Sequence, residues 1–105
     1  KGIAYVLETV KEKYRDYTKI YMTLDIDVLD PAFAPGTGTP EAGGLSTREL
    51  MELVREMVLT LPIAAFDIVE VSPPLDSSDI TSWAALKIIY EVFGVVYRKS
   101  KPLIY

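Results

Sequence analysis

Neither histidine nor cysteine occurs anywhere in this 105-residue chain. The missing cysteine excludes disulfides, thiolate nucleophiles and cysteine-held metals, and it fits a reducing, cytoplasmic setting. The missing histidine removes the commonest metal ligand and the usual general base near neutral pH. Chemistry within the chain is therefore left to carboxylates, hydroxyls and lysines. Positive charge is also short, with 11 Lys and Arg against 15 Asp and Glu and a net charge of −4. No local basic cluster marks a nucleic-acid surface. No apolar run approaches the roughly 20 residues needed to cross a bilayer, and no signal peptide is visible. Neither nucleic acid nor membrane is therefore expected as a partner.

What the chain does have is apolar content. Half its residues are hydrophobic and the mean hydropathy is +0.20, which suits a packed segment of at most one domain. Residues 3–15 place Ile3, Val6, Leu7, Val10 and Tyr14 at helical spacing. Residues 19–27 are β-branched, aromatic and aliphatic until the aspartates, and read as a strand. Residues 30–44, DPAFAPGTGTPEAGG, hold three prolines and four glycines, which predicts a long loop. Ser46 followed by Glu49 has capping-box spacing and opens a helix over 46–60, with an apolar stripe of Leu50, Leu53, Val54, Met57 and Val58. A second strand is expected over 63–71, stopped by Pro73-Pro74. The last helix is expected over 79–93, with Ser78 as N-cap, Asp76 and Asp79 favouring its dipole, Trp83, Leu86, Ile89, Tyr90 and Phe93 inward, and Gly94 near its C-cap. The order α-β-α-β-α predicts an α/β fold with a parallel sheet and a right-handed crossover. The near-continuous apolar strands suggest burial on both faces.

The segment YMTLDIDVLDP, residues 21–31, sets two carboxylates at the end of the first strand. Residues two apart on a strand share a face, so Asp25 and Asp27 are expected to project together. Two like charges held close and partly desolvated repel unless a cation lies between them, and hard divalent ions favour oxygen donors. The plainer reading is that one aspartate caps the following turn, with Asp30 suited to that role in LDP. Glu70 at the end of the second strand reaches the same sheet edge, where parallel sheets collect functional groups. Asp67 reads as a buried partner of a backbone or helix-cap donor.

The spacing then becomes specific. Thr23, Leu24, Asp25, Ile26 and Asp27 are followed, after three residues, by Pro31, after three more by Pro35-Gly36, and by Gly44 eight residues beyond Gly36. This pattern resembles the third signature of the ureohydrolases, the arginase and agmatinase family, and FDIVEVSPPLD resembles that family's glutamate-bearing strand. The resemblance implies a three-layer parallel-sheet fold, of which residues 1–105 are the C-terminal portion of a single domain. It implies that Asp25 bridges two manganese ions, that Asp27 binds one of them, and that Glu70 and Thr39 face a guanidinium substrate. The implied chemistry is attack on the guanidinium carbon by a hydroxide held between two Mn²⁺ ions, releasing urea and an amine. It further implies a trimeric or hexameric homo-oligomer, with Arg48 and Glu49 near the contact, and a cytoplasmic enzyme of polyamine metabolism. The family's remaining ligands, two histidines and two aspartates, have no counterpart here, so the isolated chain is expected to be inactive. The tail VEVSPPLDSSDITSWAALKIIYE looks agmatinase-like. Arginine, guanidinobutyrate or formiminoglutamate hydrolysis stands as an alternative, as does a non-catalytic association module.

Overall fold

A computed structural model of the chain describes residues 1–101. It contains helix α1 (Gly2–Tyr14), strand β1 (Ile20–Asp25), helix α2 (Thr47–Thr60), strand β2 (Ile63–Val69) and helix α3 (Ile80–Lys99), with short 3-10 turns at Ile26–Val28 and Pro73–Leu75. The two strands pair in parallel, from Tyr21 opposite Ala65 to Asp25 opposite Val69. The α-β-α-β-α order and the parallel α/β architecture are therefore as the pattern predicts.

α2 begins where its sequence says it should. The Ser46 hydroxyl accepts from the Glu49 amide at 3.2 Å, while Glu49 accepts from the Ser46 amide at 2.8 Å. The reciprocal bonds satisfy two of the amides a helix start leaves unpaired, and the bonds that the Glu49 carboxyl accepts from the Ser46 amide and hydroxyl hold it below its ordinary range. α2 then buries Leu50, Val54 and Val58, which join Ala84, Ala85, Ile88, Val92 and Val95 of α3 in one core. Met22, Leu24, Phe66 and Ile68 of the sheet pack against that core. The opposite sheet face, by alternation along the strands, carries Tyr21 and Thr23, both exposed. Burial on both faces is thus not reached among the described residues, because α2 and α3 cover only one of them.

α3 departs most from expectation. It runs six residues past Phe93 to Lys99. Gly94 lies inside it, since Val95 adds another buried turn and Lys99 reaches across to donate to the Val58 and Leu61 carbonyls at 2.8 and 3.2 Å. Those carbonyls are near the end of α2, where a cation is favoured. The inward stripe is Thr81, Ala84, Ala85, Ile88, Val92 and Val95. Trp83, Tyr90 and Phe93, expected inward, are 66%, 60% and 64% exposed, while Leu86 and Ile89 are half-buried. The helix is apolar almost all round, so helical spacing alone does not choose its face. At 20 residues, with a mean hydropathy of 1.3 over an 18-residue stretch, it is also long and apolar enough to cross a membrane by composition, which the shorter predicted helix was not. Here its core stripe packs on α2, and Glu91 is fastened to Arg55 through two bonds of 3.1 and 2.8 Å.

Its N-terminus also differs. Asp79, not Ser78, occupies the N-cap position and makes no side-chain cap bond. Ser78 and Asp79 both take positive φ, 55° and 61°. That turn doubles the chain back so that Asp76 caps the helix, accepting from the amides of Thr81 at 2.8 Å and Ser82 at 3.4 Å.

Candidate functional site

β1 ends at Asp25, and Asp27 belongs to the 3-10 turn that follows, not to the strand. The two carboxylates are therefore not neighbours by strand alternation. The chain turns out of the ladder at Ile26, which is fully buried, and the turn is capped when Asp25 Oδ1 accepts from the Asp27 amide at 3.0 Å. The capping reading of LDID is realised by this bond, with Asp25 as the cap. Asp30 does as its LDP context predicts, accepting from the amides of Ala32 and Gly43, each at 2.9 Å. These bonds hold its carboxyl below the usual carboxylate range.

The loop from 31 to 46 folds back over this turn. Leu29 bridges to Leu45, and Gly44 packs so tightly that a Cβ there would lie 2.6 Å from the Asp30 nitrogen. The loop carries Thr39 to the acids, where its hydroxyl donates to Asp27 Oδ2 at 3.1 Å. Thr39 and Asp27, twelve residues apart, are thus brought together. Deeper in the loop, Thr37 is only 3% exposed and its hydroxyl has no partner among the described residues.

Glu70 follows β2 directly and is exposed. Because Val69 is in register with Asp25, Glu70 leaves the sheet at the same edge as the aspartates. Its φ is 69°, a left-handed conformation that costs a non-glycine residue about 1–2 kcal/mol. This is why β2 stops two residues short of its expected end at 71. Strain of this sort, kept at a strand end beside clustered polar groups, is a mark of functional positions. Asp67 has a different partner from the one expected: it is half-buried, and it accepts from the hydroxyl of Thr23, its register neighbour on β1, at 2.6 Å.

Among the described residues the two ion pairs are Lys11–Glu8 and Arg55–Glu91, so Asp25, Asp27 and Glu70 form no ion pair there. The result is an acidic edge without an internal counter-charge. Its bonds use Asp25 Oδ1 and Asp27 Oδ2, which leaves Asp25 Oδ2 and Asp27 Oδ1 as hard oxygen donors of the kind divalent Mg²⁺ or Mn²⁺ takes. The donor set fits such ions but does not complete a cage: no three His, Cys, Asp or Glu side chains gather among the described residues.

One group of residues was not singled out from the sequence as a unit. Thr81, fully buried, donates from its hydroxyl to Asp76 Oδ1 at 2.9 Å and accepts from the Gly36 amide at 2.7 Å. The Gly36 carbonyl accepts from the Ser72 amide at 2.8 Å. Partial burial pushes the Asp76 carboxyl up, but the bonds from Thr81, Ser77 and Ser82 together outweigh it and hold that carboxyl below its ordinary value. The only hint in the sequence was Pro35-Gly36 itself, since its glycine has room for no side chain.

Comparison with known proteins gives a consistent picture. The family model described as the Arginase family matches residues 1–94. The agmatinase of Salmonella newport is 46% identical over 100 residues, which are 95% of this chain and 32% of that protein. The solved proclavaminate amidino hydrolase of Streptomyces clavuligerus superposes with a TM-score of 0.84 at 43% identity, covering 92% of this chain and 32% of that one. A structure titled as a hypothetical agmatinase from Burkholderia thailandensis gives 0.83 at 40% identity, covering 95% and 31%. The chain spans about a third of the length of these relatives.

Proposed function

Because this chain belongs to the arginase family, we propose that it supplies the Asp25–Asp27–Thr39–Glu70 part of a metal-dependent ureohydrolase site that acts on a guanidinium substrate, agmatine in the first instance. The observation that carries the reading is the convergence of these residues. Thr39 is bonded to Asp27, the Asp27 amide to Asp25, and the register that pairs Val69 with Asp25 brings Glu70 to the same end of the sheet. Asp25 and Asp27 would hold Mn²⁺ through carboxylate oxygens, the remaining ligands coming from other parts of the enzyme. When bound, the metals supply a water activated at neutral pH.

The chain's own residues account for substrate binding and orientation. A guanidinium is a planar cation with a fork of N–H donors, and a carboxylate is its natural bidentate partner. Glu70 is an exposed carboxylate without an ion-pair partner among the described residues. Its left-handed backbone keeps it at the edge and out of the ladder. Thr39 holds Asp27 in place and offers its hydroxyl oxygen to an N–H of the ligand. The charged groups placed at this edge, Asp25, Asp27 and Glu70, are all acids, which favours a cationic substrate over a neutral or anionic one.

A segment graft tests this reading. Residues 1–105 replace the corresponding segment of a related agmatinase, and urea release is measured from agmatine, arginine and guanidinobutyrate, with formamide release measured from formiminoglutamate. The reading predicts a manganese-loaded enzyme that releases urea from agmatine fastest. A folded, metal-loaded graft that hydrolyses none of these guanidinium or amidine substrates would overturn it. A graft that prefers arginine would keep the chemistry and replace the substrate.

A further inference from the structure

The site is held from behind. We propose that Thr81 and Asp76, at the start of α3, are positioning residues that fix Glu70 and the Thr39 loop relative to one another. The proposal rests on the reading of Asp25, Asp27, Thr39 and Glu70 as one site. It assigns to the helix start a role beyond capping.

The geometry is a chain of short bonds linking three segments that are distant in sequence. Asp76 accepts from the Thr81 amide and hydroxyl at 2.8 and 2.9 Å, which leaves the Thr81 oxygen with one lone pair aimed at the loop. That oxygen takes the Gly36 amide at 2.7 Å. Gly36 lies three residues before Thr39. Its carbonyl takes the Ser72 amide, and Ser72 lies two residues after Glu70. Glu70 is therefore pinned on both sides, upstream by the Asp25–Val69 register and downstream by Ser72 on Gly36. A residue held between two fixed points has little room to relax, and this is the condition under which a left-handed non-glycine persists. The packing admits no substitute at the centre, because a Cβ on Gly36 would lie 2.5 Å from Asp76 Cγ.

Removing the Thr81 hydroxyl with Thr81→Val keeps the shape and strands the Gly36 amide without an acceptor. In the 105-residue chain, amide exchange at Gly36 and Ser72 should rise by roughly tenfold, the factor for loss of one buried hydrogen bond, while Val54 and Ile88 keep their protection. The backbone NMR shifts of Glu70, which report its positive φ, should move toward those of extended chain. Those of Thr39 should move with them. Thr81→Ser restores the hydroxyl and should restore both sets of signals. Unmoved Glu70 and Thr39 signals in Thr81→Val, with Gly36 exchange raised, would reduce Thr81 to a structural cap and overturn the proposal. If Thr81→Val does not fold, Asp76→Asn, which weakens the anchor of the Thr81 hydroxyl, should shift the same signals by less, and their constancy would overturn it equally. The two claims fail separately. An inactive graft with this coupling intact contradicts only the functional reading, and an active graft without the coupling contradicts only this one.

Discussion

The seam between α2 and α3 and the carboxyl end of the sheet are built from different materials. The seam is apolar: Leu50, Val54 and Val58 meet Ile88, Val92 and their neighbours, with one ion pair, Arg55–Glu91, at its margin. The sheet end is held largely by hydrogen bonds to carboxylates and hydroxyls, at Asp25, Asp27, Asp30, Asp76 and Thr81. It also keeps Glu70, Ser78 and Asp79 in left-handed conformations. Apolar burial is where folding free energy comes from, whereas a hydrogen bond contributes little net and strained backbone subtracts. The seam stabilises the chain, and the sheet end draws on that stability to keep acids in place.

The largest effect expected from this contrast lies in the seam. Ile88→Ala empties a fully buried position and should cost about 2–5 kcal/mol, read as a fall in the denaturant midpoint with the sheet-end bonds untouched. Next comes Gly36→Ala at the sheet end, where the new methyl would meet Asp76. Overpacking of this kind should cost about 1–3 kcal/mol, and the damage should appear first in the protection of Ser72 and Thr81. A smaller effect of opposite sign sharpens the comparison. Glu70→Gly relieves the positive φ but adds freedom to the unfolded chain, so thermal unfolding should show a net gain of roughly 0.5 kcal/mol. A loss in that variant would mean that Glu70 is not strained.

Acid separates the regions by degree. Asp30 and Asp76 have carboxyls held below their ordinary values by hydrogen bonds, and Glu91 by Arg55. A depressed carboxylate contributes stability that is present above its unfolded pKa and is lost as pH falls through its folded one. Stability should therefore be level at neutral pH and decline below about pH 4. The sheet end buries Ile26, Leu29 and Ala34, but its amides at Ala32, Gly43 and Thr81 rest on the depressed carboxylates of Asp30 and Asp76, so they should lose exchange protection at a higher pH than those of Val54 and Ile88. Simultaneous loss would contradict the division.

The same contrast explains what was legible in the sequence. Ser46 and Glu49 announced α2 because a capping box is a local device, and Leu50, Val54 and Val58 have the periodicity of a half-buried helix. The strands showed as β-branched runs; Asp25 and Asp27 were marked by their spacing to Pro31, Pro35-Gly36 and Gly44, and Thr39 and Glu70 by the family resemblance that this spacing supports. α3 misled because both its faces are apolar: nothing local says that Ala84 and Ala85 face the core while Trp83 and Phe93 do not. Gly94 looked like a stop because glycine often is one, yet Val95 and Lys99 carry the helix on by contacts with α2. The left-handed Glu70 is held by segments far along the chain, through Val69 on Asp25 and Ser72 on Gly36, and Gly36 is in turn held by Thr81. Local pattern cannot encode a bond between residues so far apart.

The central claim is that the acidic sheet edge binds a guanidinium through Glu70 beside metals held by Asp25 and Asp27. Its most direct test is Glu70→Gln in the agmatinase graft, with urea release and manganese content measured on the same sample. The account predicts a loss of about 2–4 kcal/mol in transition-state binding, roughly thirty- to a thousand-fold in kcat/KM, at unchanged manganese content. Loss of manganese with substrate affinity intact, or undiminished turnover, would contradict it.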